Sequence, residues 1–370
     1  MHAIRLMEAG LASIITRINS LGLEVATQKM EAVWFHNLPR NRSPPPSWVA
    51  VGQGQRIPIG RTMKYLGLTI DGRLTYEKHV EQIAPKLEKT ALHLGRLLPN
   101  IGGPGVRARR LYTAVIQSMA LYGAPIWARE GPLSRRIRDT LRKAQRRMAL
   151  RLIRGYRTVS AEATFALAGM TPFDHLAMAF AEVYWGSRRQ GAQAQLPATD
   201  PEQLKARALR RADRRWRREL ARSGSAEKRA VAAILPSWDN WAEVGPSLLT
   251  YRITQVLTGH GCFGEYLRRI GAEETAVCHH CGAELDSPQH TVEECEAFEL
   301  QRRNLVAAIG PDLSPPAIVE ALLAGDDKRR AATLFCEEVM LLKENAERVR
   351  ERTNEGRRAR RQVRSQRTQE

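Results

Sequence analysis

Four residues carry the spacing with the clearest chemical meaning: Cys278-x2-Cys281-x8-His290-x4-Cys295. Three thiolates and an imidazole over such a span can close a tetrahedral zinc site, because soft sulfur ligands select that ion. No coordination position is left open for a reacting water, so the site reads as structural. Gly282 suits a tight turn after the first pair. His279 and His280 are rival ligands expected to face solvent. Cys262, after Gly259-His260-Gly261, and Cys336, among Leu334, Phe335 and Met340, are expected to be packed thiols. Five cysteines in 370 residues are too few for a disulfide scaffold and suit a reducing compartment.

A second kind of chemistry is written in charge. Lys and Arg total 58 against 39 Asp and Glu, a net +19 that points to a polyanion, with nucleic acid the default. One helical stripe holds Ile137, Leu141, Ala144, Met148 and Leu152. Around it, eleven basic residues between Arg129 and Arg157 meet only Glu130 and Asp139. Mixed signs would serve solubility, so Arg135, Arg138, Arg142, Lys143, Arg146, Arg147, Arg151 and Arg154 are expected to touch phosphate. Residues 204–222 add nine basic residues against Asp213 and Glu219. There Arg214, Arg215, Arg217 and Arg218 flank Trp216, a candidate for base stacking. Tyr122, Trp127 and Tyr156 are expected to be core.

The elements that must position these groups change character along the chain. Ile4, Met7, Leu11, Ile14, Ile15 and Ile18 recur at helical spacing, with Gly22 as the stop. Four strands are expected next: one within 29–35, two in a hairpin of 48–51 and 55–59 around Gly52-Gln53-Gly54, and one over 64–70. From residue 76 to 190 helical periodicity dominates, broken at Pro99 to Gly105. Residues 191–201 suit a linker, 246–300 a small unit holding the cysteines, and 301–370 helices ending in a basic tail through Arg357 to Arg361. No run of about 18 uncharged apolar residues exists, so no membrane span is expected, and the first residues lack a secretory apolar region.

Several strings, taken in order, resemble the C-terminal part of the polyprotein of non-LTR retrotransposons, above all the insect type-1 elements that insert into ribosomal DNA. They are Gly22-Leu23 with Lys29-Met30-Glu31, Lys64-Tyr65-Leu66-Gly67, Leu121 to Ala128, Gly155 to Ser160, Leu249 to Arg252 with Thr258 to Gly261, and the Cys/His cluster. The resemblance implies an α+β, mostly helical chain: 1–75 the end of a reverse transcriptase palm with a primer-grip hairpin, 76–190 a helical thumb, 191–245 a basic linker and helix, 246–300 a CCHC zinc knuckle module, 301–370 C-terminal helices and tail. It implies the C-terminal portion of an RNA-directed DNA polymerase with an endonuclease elsewhere in the polyprotein. That portion binds RNA template, DNA primer and target for target-primed reverse transcription in the nucleus. Lys29 matches a family lysine that protonates departing pyrophosphate, although Met30 departs from the family's Thr. Tyr65 and Leu66 fall on the primer grip.

In that family a Tyr-x-Asp-Asp strand and a further Asp hold two magnesium ions upstream, since the metals must bridge the attacking 3′ oxygen and the leaving phosphate. This chain matches only the region downstream of that strand, so magnesium belongs to the intact polymerase and the upstream palm and fingers are missing partners. Asp326-Asp327 lies too late to be that motif and is expected to cap a helix beginning near Lys328. Two rivals stand beside this reading. One is a stand-alone zinc- and nucleic-acid-binding remnant without catalysis. The other is a metal-dependent endonuclease using Pro311-Asp312 with Asp326-Asp327-Lys328, which needs carboxylates on adjacent strands.

Overall fold

The computed structural model describes residues 2–37, 47–51, 55–128, 131, 133–192, 200–222 and 224–353. Residues 38–46, the Gly52-Gln53-Gly54 turn, most of the 191–201 linker and the Arg357–Arg361 cluster lie outside the described residues.

Helix α1 (His2–Ser20) opens the chain. It buries Ile4, and Glu8 accepts the Ala50 amide at 2.9 Å, while Leu6 and Ile14 stay exposed. Strand β1 (Ala32–Val33) runs parallel to β3 (Arg56–Gly60), and β2 (Trp48–Ala50) pairs antiparallel on the other side, giving the order β1-β3-β2. The strand expected over 64–70 is in fact a hairpin, β4 (Thr62–Tyr65) and β5 (Leu68–Asp71), with Tyr65 paired to Leu68. The chain reverses at Leu66-Gly67, where φ is 46° and 83°. Two positive φ values match the right-handed strand twist, and glycine supplies one without strain. A Cβ on Gly67 would also meet the Tyr122 ring at 3.1 Å. Tyr122 donates to the Leu66 carbonyl at 2.9 Å and is exposed, so it clamps the hairpin and is not core.

The next helices are α2 (Glu77–Arg96), α3 (Val106–Ala120), α4 (Ala124–Trp127), α5 (Arg135–Leu152), α6 (Ala161–Leu167) and α7 (Phe173–Ala192). The α5 stripe Ile137, Leu141, Ala144 and Met148 packs on Val80, Leu87, Ile116 and Phe173. Ser134 caps α5 by accepting the Ile137 amide. The glycine-rich break before α3 is closed from within by Arg109. This fully buried guanidinium donates to the carbonyls of Pro99, Pro104 and Arg151.

A second core is built by α6 with α8 (Pro201–Leu220), α9 (Arg229–Ile234), α10 (Trp238–Leu248), α11 (Tyr251–Thr258), α12 (Gly264–Arg269), α13 (Glu299–Ile309), α14 (Pro315–Leu323) and α15 (Asp326–Thr353). Its apolar packing runs from Ala149 to Met340 and includes Phe165, Trp216, Trp241, Phe263, Phe298 and Phe335. The boundaries expected at 190, 245 and 300 therefore mark no break in the packing. α15 starts at Asp326, with both Asp326 and Asp327 in its first turn. It is no solvated tail: Phe335, Cys336, Val339, Met340 and Lys343 are buried along it. Among the described residues no strand follows β5, so Asp312 and Asp326 lack the adjacent strands the endonuclease reading needs. Among the described residues no helix is long and apolar enough to cross a membrane.

Candidate metal centre and cationic faces

The ligand atoms of Cys278, Cys281, His290 and Cys295 all lie within 4.8 Å of one another, and the group can hold a metal ion. Cys278 and Cys281 sit on a tight turn. The Gly282 amide donates to the Cys278 carbonyl and the Cys278 amide to the Ala283 carbonyl, both at 2.8 Å. Gly282 makes that return possible with φ 84°. His290 and Cys295 bracket a wide helical turn, His290–Glu294, closed by the Cys295 amide on the His290 carbonyl at 2.8 Å. The Cys278 and Cys295 sulfurs are 3.9 Å apart, and the Cys281 sulfur lies 3.3 Å from His290 Nε2. His290 Nδ1 faces Glu294 at 3.4 Å, which leaves Nε2 toward the sulfurs.

The electrostatics of the cluster's own side chains are uneven. Burial, then the neighbouring Cys278 sulfur, push the Cys295 thiol up to about 12. Burial also raises Cys278. At Cys281 burial is outweighed by hydrogen bonds from the Ala283 backbone and its three cluster neighbours, which bring the thiol down to about 7. Three thiolates so close cannot ionise together unless a cation compensates them, so the donor set fits a divalent metal.

The rival ligands stand apart. His279 is exposed near Glu273, and His280 packs against Phe298 with ring centroids 5.0 Å apart, so His280 is half-buried where solvent exposure was expected. Cys262 donates to Glu347 at 2.7 Å, and burial raises its thiol; Cys336 is core, pushed up to about 12 by burial. One buried carboxylate inside the ligand span was missed in the sequence. Asp286, between Cys281 and His290, is buried and takes both oxygens to Lys343 Nζ at 2.7 and 2.8 Å. It also accepts from the Gly264 amide and the Thr291 hydroxyl. The available signal was a lysine on the apolar stripe of α15 with Cys336 and Met340.

The cations of α5 divide into two sets. Arg142 is not free for phosphate: it makes paired bonds to Asp174 (2.9 and 2.8 Å) and Glu219 (2.6 and 3.0 Å), tying α5 to α7 and α8. His175 joins Glu219 at 3.0 Å. Burial works against the Glu219 charge, yet the bonds from His175 and Arg142 bring its carboxyl down to about 2. Arg146 is spent on the carbonyls of Val159 and Arg157, and Arg154 on those of Asn100 and Gly102. Arg151 is half-buried. Solvent is reached by Arg136, which pairs with Glu81, and by Arg135, Arg138, Lys143 and Arg147. The last four lie within 3.4–3.8 Å of Asp139 or Glu88, in exposed pairs that exchange readily.

On α8, Trp216 is fully buried against Phe165, with Arg142 above its ring at 5.6 Å, which rules it out as a stacking surface. Its neighbours Arg214 and Arg218 are exposed, while Arg215 and Arg217 are half-buried and Arg217 faces Asp239 at 3.5 Å. With Arg207 and Arg210, Arg214 and Arg218 form one exposed row at spacings of three, four and four. Among the described residues none of these four has a carboxylate within ion-pair distance, whereas Arg211 is paired with Glu182.

Lys29 ends the 3-10 turn Thr27–Lys29 and is exposed. Among the described residues no carboxylate cluster able to hold a metal lies near it or elsewhere. Tyr65 and Leu66 project into solvent at the tip of the β4–β5 hairpin, 58% and 75% exposed.

No protein-family model and no solved structure matches this chain. Three curated proteins do. The retrovirus-related Pol polyprotein from type-1 retrotransposable element R1 4 of Nasonia vitripennis is 28% identical over 290 residues, covering 74% of this chain and 70% of its own length. The chain resembles the R1 retrotransposon polyproteins. A 115 kDa protein in element R1DM of Drosophila melanogaster is 26% identical over 309 residues. The R1 Pol polyprotein of Bradysia coprophila is 26% identical over 267 residues. The matched region takes up 29% and 25% of those two relatives' lengths, so the R1-like sequence here corresponds to a portion of each.

Proposed function

We propose that this chain is the nucleic-acid-binding C-terminal portion of an R1-type retrotransposon polymerase, holding template, primer and target during reverse transcription primed at the target. The observation that carries the reading is the row Arg207, Arg210, Arg214 and Arg218 on α8, exposed and without carboxylate partners among the described residues. About 16 Å of helix axis separates its ends, and an unpaired row of guanidiniums on a chain of net charge +19 suits a phosphate backbone. The solvent-facing set of α5 adds to it by exchanging Asp139 and Glu88 for phosphate. In this reading Tyr65 and Leu66, exposed at the hairpin tip, contact the primer end. Lys29 takes the role of proton donor to pyrophosphate only where a polymerase metal site is supplied alongside it.

Cys278, Cys281, His290 and Cys295 bind one structural zinc in this reading. Zn–S bonds of about 2.3 Å at tetrahedral angles place two sulfurs about 3.8 Å apart, against 3.9 Å for Cys278 and Cys295. When bound, the ion supplies the positive charge that lets three thiolates coexist. The test is binding of a labelled DNA–RNA duplex by the whole chain, with zinc content measured on the same sample. Sequence-independent, salt-sensitive binding at one zinc per chain is expected. A zinc-free, folded chain, or no duplex binding at low salt, overturns the reading.

A further inference from the structure

An open cleft of about 690 Å³ lies between the turn before α6, the start of α9, the α11–α12 segment and the residues leading into His290. Its walls include Lys228, Arg229, Arg269, Glu265, Thr158 and Ser287. The volume falls within the range of ligand pockets, and the lining is cationic and hydroxyl-rich.

Arg229 is the residue that needs explaining. Its guanidinium is partly buried, yet its protein bonds go to neutral acceptors, the Val256 carbonyl at 3.0 Å and Gln289 Oε1 at 2.7 Å. Burial pushes it down to about 10 despite Glu293 and Glu265 nearby. A buried cation without a bonded anion is costly, and a planar guanidinium matches the paired oxygens of a phosphate. Arg269 stands at the rim, exposed, its guanidinium 5.2 Å from the Tyr266 ring centroid and without a carboxylate in ion-pair range among the described residues. Lys228 is balanced by Glu162 at 2.6 Å. With Glu265 as the remaining acid on the wall, the cleft keeps a positive excess on Arg229 and Arg269. Nothing in the cluster at Cys278 or the rows on α5 and α8 uses these two residues.

We propose that this cleft binds the phosphate of a nucleotide, Arg229 taking it from below and Arg269 from the rim, and that the nucleotide is the phosphorylated end of a nucleic-acid strand. The source of the nucleotide rests on the nucleic-acid reading above; the phosphate chemistry of the cleft does not.

The test uses the full chain. Calorimetry with adenosine monophosphate and with adenosine reads the cleft. Anisotropy with a short single strand, with and without a 5′-phosphate, reads the source. Duplex binding is measured separately. Adenosine monophosphate should bind and adenosine should not. Arg229→Gln and Arg269→Gln should each weaken the monophosphate about tenfold, the loss expected for one charged hydrogen bond, with duplex binding unchanged. Arg269→Gln keeps the test valid if Arg229→Gln fails to fold, because Arg269 is exposed. Equal binding by wild type and Arg269→Gln, or no preference for the monophosphate over adenosine, overturns the proposal even where duplex binding persists. Monophosphate binding without any gain from the 5′-phosphate on the strand keeps the cleft and overturns the strand-end assignment.

Discussion

Arg142 and Arg147 lie five residues apart on one helix, and their surroundings give them different work. Arg142 is 16% exposed between Asp174 and Glu219, so its removal strips the buried Asp174 of its paired bonds and leaves Glu219 with His175 alone. Arg142→Ala should cost about 3 kcal/mol in chemical denaturation. Arg147→Ala should leave stability within about 0.5 kcal/mol and weaken duplex binding. The pH dependence comes from Glu219, whose carboxyl falls from 4.5 to about 2. A depressed folded-state value adds stability above the unfolded value, and that stability is lost as pH falls through the folded one. The gap in thermal midpoint between wild type and Glu219→Gln should therefore be full at about pH 6 and close between roughly 4.5 and 2. A gap that stays constant over that window would place the stabilisation elsewhere.

At the scale of the element, the question is which face of a basic helix is spare. On α5 one face is core and much of the rest is bound to carbonyls and carboxylates. On α8, Ala208, Ala212, Trp216 and Leu220 are buried, and the opposite row is open. Changing Arg207, Arg210, Arg214 and Arg218 to Gln together should reduce the log–log salt slope of duplex binding by about 0.7–0.9 for each phosphate no longer neutralised. The same measurement on Arg142→Ala, compared at equal folded fraction, should show no change of slope. An unchanged slope in the α8 variant would mean that this row faces water. Periodicity predicted the α5 stripe because helical spacing of apolar residues is a local property. It could not distinguish Arg142 from Arg147, since both lie beside the stripe and only α7 and α8 supply the acids. The β4–β5 reversal was missed for a similar reason. Tyr65-Leu66-Gly67-Leu68 is apolar enough to read as one strand, and the contact that holds the turn comes from Tyr122, 56 residues away.

Over the whole molecule, the Cys/His group is joined to the second core, of which Cys278 and Cys295 are part. Asp286 lies within the ligand span and is locked to Lys343 of α15, while Phe263 and Phe298 lie near the same ammonium. Chelation should therefore lower the melting temperature of the full chain and expose α11–α15 together in hydrogen exchange, not the Cys/His turn alone. Structural zinc can supply on the order of 10 kcal/mol, enough to decide that unit's fold. Residues 246–300 produced alone should stay unfolded even with zinc, because the partners of Asp286, Phe263 and Phe298 on α15 are left out. A folded, zinc-loaded 246–300 would show that the shared core is dispensable.

The sequence by itself determined the donor set, its spacing, the excess of positive charge, the change from strands to helices near residue 76 and the resemblance to R1 polyproteins. Each of these is a property of residue type and short-range order. Tertiary structure decided which charges are free. It buried Trp216, engaged Arg142, Arg146 and Arg154, and left Arg207, Arg210, Arg214 and Arg218 open, because a side chain's availability depends on what distant elements bring against it. It also merged the expected zinc module with the C-terminal helices. A unit of that size buries too little apolar surface alone, so its aromatic residues and its buried Asp286 find their partners on α15.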